Sequence, residues 1–389
     1  MSAESRQSAA PSSHAIQPSS PRPSSLRVVV ATPDVVGTRM AGPGIRAWQL
    51  ARELARHWST TLVARREGEL PANDLAVLDR GSAEARDALR EADVIIGQPA
   101  RGFGRHRRGQ HVVYDLFDPV LLELREMYGR FPSLRQNVHY AAEAWRVRRA
   151  VATGDLLIVA TNKQRELYPG GASATIEVPF GIDPGDLMPG DRPRSNLIVW
   201  GGGTWEWLDP NLAVDAVIRL NRDGVACRLL FLGRSRPNRS LADRRRVDRF
   251  DLMVGRGAPW VEANAGWTPY AERLSWLRPA KIAMMLHRPT TEAAYSIRTR
   301  IFDAIAGAVP VITTDGGFAA ELVAAEGLGL IVPPSDAVAV SDAVRRLLED
   351  DDFHAACVRN LERIRPRFAW EVVTAPLVGA IQQWEKLRN

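Results

Sequence analysis

The stretch AAYSIRTRIFDAIAGAVPVITTDGG, residues 293–317, changes grammar halfway. Its first part is polar and basic and then turns apolar at helical spacing, up to Gly307. Its second part, VPVITT at 309–314, is a β-branched run closed by Gly316 and Gly317. A helix that feeds a short, continuously apolar strand is the repeating unit of a parallel sheet covered on both faces, since such a strand has no polar side to turn to water. Arg298, Arg300 and Asp303 stand beside that join, three charged side chains in an otherwise apolar setting.

The same unit recurs outward from there. Toward the N-terminus, LRVVVAT (26–32), TTLVAR (60–65), DLAVLD (74–79), DVIIGQ (93–98), HVVYDL (111–116) and DLLIVAT (155–161) read as buried strands. GPGIRAWQLARELARH (42–57) reads as a helix with Ile45, Trp48, Leu50, Leu54 and Ala55 on one side. The segment EVPFGIDPGDLMPGDRPRSN (177–196), with four prolines, breaks the pattern and is the best linker. A second series follows: LIVWGGG (197–203), a helix over 210–222, CRLLFLG (227–233), KIAMML (281–286), a helix over 298–306, VPVITT, LIVPP (330–334), a helix over 336–349 and a last helix from 369. The expected fold is α/β: two Rossmann-like, doubly wound domains facing each other across a cleft. The boundaries read as a disordered tail over 1–25, domains over 26–181 and 197–368, a linker over 182–196 and a C-terminal helix over 369–389.

Composition narrows the class. Of 389 residues, 45% are hydrophobic and 25% charged, which describes a globular chain of two-domain size. The two cysteines, Cys227 and Cys357, form no zinc or disulfide spacing and fit a reducing cytoplasm. No apolar run of about 18 residues is present to span a membrane, and the Ser/Pro-rich start lacks the apolar core of a secretory signal. The net charge of +6 is carried almost wholly by arginine, in clusters such as RGFGRHRR (101–108) and ADRRRVDR (242–249). Neither cluster is interleaved with stacking aromatics, so nucleic acid is not an expected partner. The cluster at Arg101–Arg108 leaves room for an anionic acceptor or a peripheral contact with a membrane leaflet, against the plainer reading of a solvated loop.

Several loops at strand ends carry chemistry. In GTRMAGPGIRAW (37–48), Gly42 and Gly44 allow backbone approach beside a helix N-terminus, although the pattern is not G-x-G-x-x-G. In WGGGTWEWLDPN (200–211), three glycines strip the bend of side chains before Thr204, Trp205 and Trp207; Gly202 and Gly203 are the positions where a ligand would meet backbone. Asp303 can accept the hydroxyls of a ribose and the arginines suit a diphosphate, unless Arg300 and Asp303 merely pair three residues apart on their helix. EDDDF (349–353) reads as a solvated cluster at a helix end, and His287 is the one histidine placed to face the cleft.

In combination and order, AGPGIRAWQLARELA, VVYDLFDP, VPFGID, VWGGGTWEWLDPNLAVDAV, NAGWTPYAERLSWL, SIRTRIFDAIAGAVPVITTDGG and LGLIVPPSD resemble the GT-B retaining glycosyltransferases of family 4 over residues 26–385. They look closest to a subgroup found in surface-polysaccharide and antibiotic sugar assembly. The resemblance implies a nucleotide-sugar donor in the C-terminal domain and an acceptor against the N-terminal one. That acceptor would be a glycan, a lipid-linked sugar or a small molecule. It also implies no metal and no cofactor, the nucleotide sugar being a substrate. The family's two signature glutamates, eight positions apart, fall here on Tyr295 and Asp303, with Glu292 near enough to substitute for the first. The usual Arg and Lys of the first C-terminal loop are absent. Arg298, Arg300 and Arg234 are then the available diphosphate cations, and Gln98, Asp115 and Asp118 the acceptor-side candidates. Two other classes stay open: a silent nucleotide-sugar-binding partner, and a dinucleotide oxidoreductase, against which Arg65 speaks by occupying the place of an acidic ribose ligand.

Overall fold

The computed structural model describes residues 26–70, 75–170, 174–233 and 242–388. The first sheet is built from β1 (Arg27–Gly37), β2 (Ser59–Glu67), β3 (Ala76–Asp79), β4 (Val94–Gly97), β5 (His111–Asp115), β6 (Leu156–Val159) and β7 (Ala174–Glu177). Its order is β3-β2-β1-β4-β5-β6-β7, and every pairing is parallel. The second contains β8 (Ser195–Trp200), β9 (Arg228–Phe231), β10 (Val261–Ala263), β11 (Ala280–Met285), β12 (Val311–Thr314) and β13 (Gly329–Val332), in the order β10-β9-β8-β11-β12-β13, again all parallel. Strand order reverses between β1 and β4 in one sheet and between β8 and β11 in the other. These are the switch points at which doubly wound sheets open a crevice at the carboxyl ends of their strands.

Burial follows the expected pattern with one difference, and the acidic residues of EDDDF are exposed at a helix end as expected. On helix Gly42–Ala55, Trp48, Leu50 and Leu54 are buried as expected, but Ala55 is exposed and Ala51 takes the inward place. EDDDF is a junction between helices Ala337–Glu349 and Asp351–Ile364. There the Asp350 carboxylate caps the second helix by accepting from the Phe353 amide at 2.9 Å. The periodic reading missed that helix, and also Leu134–Thr153, whose exposed face breaks its apolar period.

The linker region is fastened. Arg192 donates to the Arg278 carbonyl at 2.8 Å, and Arg194 to the carbonyls of Ala280 at 2.9 Å and Ala308 at 2.7 Å, so guanidinium groups close strand ends that would otherwise face solvent bare. The last helix, Trp370–Arg388, returns to the first domain. His111 stacks on Trp384 with ring centres 4.2 Å apart, Trp58 donates to Glu385 at 3.2 Å, and Arg388 pairs with Asp93 at 2.7 Å. At the root of that helix Trp370 lies 5.1 Å from the Phe180 ring and against Gly181, where an added Cβ would stand 2.5 Å from the indole. Replacing Trp370 by Ala is expected to cost about 3–5 kcal/mol of unfolding free energy, the range for deleting a buried Trp. Calorimetry or denaturant unfolding checks it, and a loss under about 1 kcal/mol would show that the returning helix is held elsewhere.

Candidate active site

A cavity of about 360 Å³ lies between the carboxyl ends of the two sheets. Its C-terminal wall is made by Gly201–Gly203, Trp205, Trp207, Trp267, Arg273, Arg298, Thr299, Arg300 and Asp303, and its N-terminal wall by Asp34, Met40, Gly42, Phe117, Asp118 and Glu123.

The glycine run matters because of what presses on it. Gly202 takes φ +70°, a left-handed conformation, and an added Cβ there would sit 3.5 Å from the Arg300 guanidinium. One on Gly203 would stand 3.2 Å from the Trp267 ring. Arg300 reaches under this bend: its Nη2 donates to the Gly203 carbonyl at 2.9 Å and its guanidinium lies 5.5 Å from the centre of the Trp200 ring. Its Nη1 is buried with no acceptor. Burial, reinforced by the neighbouring Arg298 charge, pushes the Arg300 pKa down to about 9, which still leaves it cationic at neutral pH.

Arg298 is 8% exposed and is clamped by a carboxylate. Its Nη1 and Nη2 donate to the two Glu292 oxygens at 2.8 and 2.6 Å, and Ser296 Oγ donates to the same carboxylate at 2.5 Å. The third donor, Arg298 Nε, has no acceptor. Two guanidinium groups whose residues line the cavity therefore each keep a buried N–H without an acceptor.

Asp303 does not pair with Arg300, the local alternative. Arg273 Nε donates to Asp303 Oδ1 at 3.0 Å, and the same guanidinium pairs with Asp186 of the linker and lies 3.9 Å from the Tyr270 ring centre. Burial lowers the Arg273 pKa, but Asp303, Tyr270 and Asp186 together outweigh it and hold it above its usual range, while burial pushes the Tyr270 hydroxyl up to about 12. Tyr270 also ties the domains together, its hydroxyl accepting from Gln49 at 2.8 Å and its amide donating to the Thr38 carbonyl at 2.8 Å.

The structure separates the other sequence candidates. Gly42, Gly202, Gly203, Arg298, Arg300, Asp303 and Asp118 line the cavity, as do Trp205 and Trp207. Glu292 does not: it is fully buried as the counter-ion of Arg298. Gly44 is a packing glycine, since a Cβ there would meet the Val35 carbonyl at 2.2 Å. Thr204 stays outside the wall. Asp115 is locked in a buried pair with Arg46, at 2.7 and 3.1 Å, because a desolvated guanidinium in the core needs a carboxylate. Gln98 lines a different cavity, and Arg234 lies outside the described residues. His287 is buried beside β12, its Nδ1 3.2 Å from the Arg288 carbonyl, and is no part of the wall. Arg273, Tyr270 and Trp267 were nominated by nothing in the residues; NAGWTPYAERLSWL carried resemblance alone, and only the fold brings it to the cleft.

Residues 195–350 match the family model for glycosyl transferases group 1. That span runs from β8 to the cap before Asp351 and contains the whole C-terminal wall. Solved structures share the architecture of the full chain. Sucrose-phosphate synthase from Thermosynechococcus elongatus aligns with a TM-score of 0.62 at 19% identity, over 92% of this chain and 98% of its own. WaaG, a glycosyltransferase involved in lipopolysaccharide biosynthesis, gives 0.66 at 15%, over 90% and 98%. HepE from Anabaena, solved in complex with UDP and glucose, gives 0.65 at 13%, over 92% and 100%. The fold is GT-B. No curated protein matches the sequence. Among the described residues no helix is long and apolar enough to cross a membrane, and no cluster of His, Cys, Asp or Glu is arranged to hold a metal.

The N-terminal wall of this GT-B cleft is acidic. Burial first, then the charges of Glu123, Asp34 and Asp115, push the Asp118 pKa well up, with Arg46 pulling the other way. The folded protein thus holds a proton on Asp118 that the unfolded chain has released, so stability falls as pH rises from the ordinary carboxylate value to the folded one. Asp118→Asn mimics the protonated form. It is expected to raise the melting temperature relative to wild type more at pH 8 than under acidic conditions below the ordinary aspartate value, where Asp118 is protonated in both states. A difference independent of pH would place the proton elsewhere.

Proposed function

We propose that the protein is a retaining, family 4 glycosyltransferase that moves a sugar from a nucleotide-sugar donor to a hydroxyl acceptor without a metal ion. The observation that carries this reading is the pair of unsatisfied guanidinium N–H groups, on Arg298 and Arg300, in a cleft wall within the group 1 glycosyl transferase span. A leaving nucleoside diphosphate supplies the missing acceptors. Its charge rises as the bond to the sugar breaks, and donors already fixed in place stabilise that charge without reorganising. Asp303 stands on the same wall and suits the ribose, and Trp205, Trp207 and Trp267 supply flat apolar surface. In the transfer, the acceptor oxygen bonds to the anomeric carbon as the carbon–diphosphate bond breaks. The acceptor proton passes to a departing phosphate oxygen, so no protein nucleophile is needed. The UDP and glucose bound by HepE make uridine diphosphate the first probe. Glucose, as a hexose, is the first sugar to try in the donor.

One observation favours the alternative of a silent binding partner. Tyr295, at the first signature position, turns to the other domain and donates to Glu166 at 2.8 Å. Hydrolysis or transfer of a bound donor decides between the two, because a silent partner binds the nucleotide and does neither.

Arg300→Ala is expected to slow transfer about a hundredfold, the scale of one lost oxyanion-type donor, and to erase the preference for diphosphate over monophosphate. Arg298→Ala should do less to turnover and more to stability, because it strands Glu292 as a buried, unpaired carboxylate. Normal rates and nucleotide preference in both variants would move the diphosphate elsewhere. Transfer is also expected to persist in excess EDTA; loss restored by manganese or magnesium would overturn the metal-free reading.

A further inference from the structure

The first sheet has a switch point of its own, outside the cleft already described. β1 and β4 stay paired only as far as Ala31 and Gly97, and β1 then shifts register against β2 between Ala31 and Val35. Where the strands part, at their carboxyl ends, a second cavity of about 300 Å³ opens. Its wall carries Arg80, Arg86, Arg90, Arg101, His106 and Gln98, and among the described residues no aspartate or glutamate.

The arginines converge from three elements. Arg80 follows β3 and is fixed by its amide, which donates to the Ala64 carbonyl at 2.9 Å. Arg86 and Arg90 lie one turn apart on helix Ala83–Glu91, so both face the same side. Arg101 is on the loop after β4, and its carbonyl accepts from Arg80 Nη2 at 3.0 Å. The nearest relief of this charge is weak: Arg90 reaches Asp87 at 3.5 Å on the exposed face, and Arg86 donates to the Gly81 carbonyl at 3.2 Å. The Arg101 guanidinium has no acceptor among the described residues. Burial and the Arg65 charge depress the Arg80 pKa, the behaviour of a cation among cations. Four guanidinium groups around one concavity suit a dianionic phosphate monoester, whose three terminal oxygens can each accept more than one hydrogen bond.

The two cavities adjoin. Thr32 and Pro33 line the basic one, and the next residue, Asp34, lines the donor cleft. Gln98 reaches the Thr32 hydroxyl at 3.5 Å beside that boundary. We infer that the basic cavity binds a phosphate monoester carried by the acceptor, whose sugar then extends past Asp34 toward the Asp118 wall. The acceptor role rests on the glycosyl-transfer reading; the anion site does not. A soluble sugar phosphate and a phospholipid headgroup offer the same chemistry.

The test uses the full chain and two variants, Arg86→Gln with Arg101→Gln, both exposed side chains, and Arg300→Ala in the donor cleft. Glucose 6-phosphate, glucose and inorganic phosphate are titrated by calorimetry. Vesicles of phosphatidylcholine with and without phosphatidic acid are assayed by co-sedimentation. Glucose 6-phosphate is expected to bind wild type and Arg300→Ala alike, to weaken at least tenfold in the double variant at unchanged melting temperature, and to be displaced by inorganic phosphate, while glucose alone does not bind. Vesicle binding that needs both phosphatidic acid and the two arginines, without binding of glucose 6-phosphate, assigns the phosphate to a lipid. Absence of both, or binding kept in the double variant and lost in Arg300→Ala, overturns the site. If uridine and other nucleoside diphosphates fail to bind and no transfer occurs while Arg86 and Arg101 still govern glucose 6-phosphate binding, the acceptor role falls and the anion site stands.

Discussion

A carboxylate with no exposure of its own, Glu292, holds the Arg298 guanidinium in the wall of the cleft. Desolvating a guanidinium is costly unless a partner shares the low-dielectric site, and a bidentate carboxylate is the partner that fits its fork. The clamp takes one N–H from each terminal nitrogen, while Nε is buried without an acceptor. It also eases the burial of Arg300 nearby, since the Glu292 charge partly offsets the repulsion between the two guanidinium groups. The glycine bend at 201–203 answers that second cation with the Gly203 carbonyl, and the left-handed φ of +70° at Gly202 is what calls for glycine there. Cleft, clamp and bend form one electrostatic unit.

Around that unit the two domains contribute opposite charge. The C-terminal wall presents Arg300, which no carboxylate neutralises, while the N-terminal wall carries Asp34 and Glu123. A ligand that is anionic at one end and rich in hydroxyls at the other matches this polarity. Beyond the acidic wall the sign reverses again in the arginine-lined cavity between β1 and β4. The contacts that hold the domains in register, Trp267 to the Met40 carbonyl at 3.0 Å and Tyr270 to Gln49 at 2.8 Å, come from the cleft itself. Residues that shape the site therefore also set the spacing of its walls.

The architecture was legible in the sequence because it depends on period and punctuation. Strands buried on both faces must be continuously apolar, and helices crossing over them must be apolar on one side, so LRVVVAT, DVIIGQ and VPVITT declared themselves without reference to one another. The placement of Arg298, Arg300 and Asp303 at the cleft followed from the same rule, since loops at the carboxyl ends of parallel strands meet there. The helix Leu134–Thr153 escaped because its outward face carries Leu134, Val138 and Trp145, which blurs the apolar period.

What only the tertiary structure decided is which charge meets which. Asp303 could have paired with Arg300 three residues before it, but their shared helix turns Arg300 under the glycine bend and leaves Asp303 to Arg273, thirty residues away in sequence. Glu292 and Asp115 carry the residue type of a site and serve instead as counter-ions for buried arginines, Arg298 and Arg46. A one-dimensional pattern reports how apolar a face is, and that is a local sum. An ion pair depends on distances between elements and on how much water the packed chain excludes from between them, and neither exists until the sheets have closed.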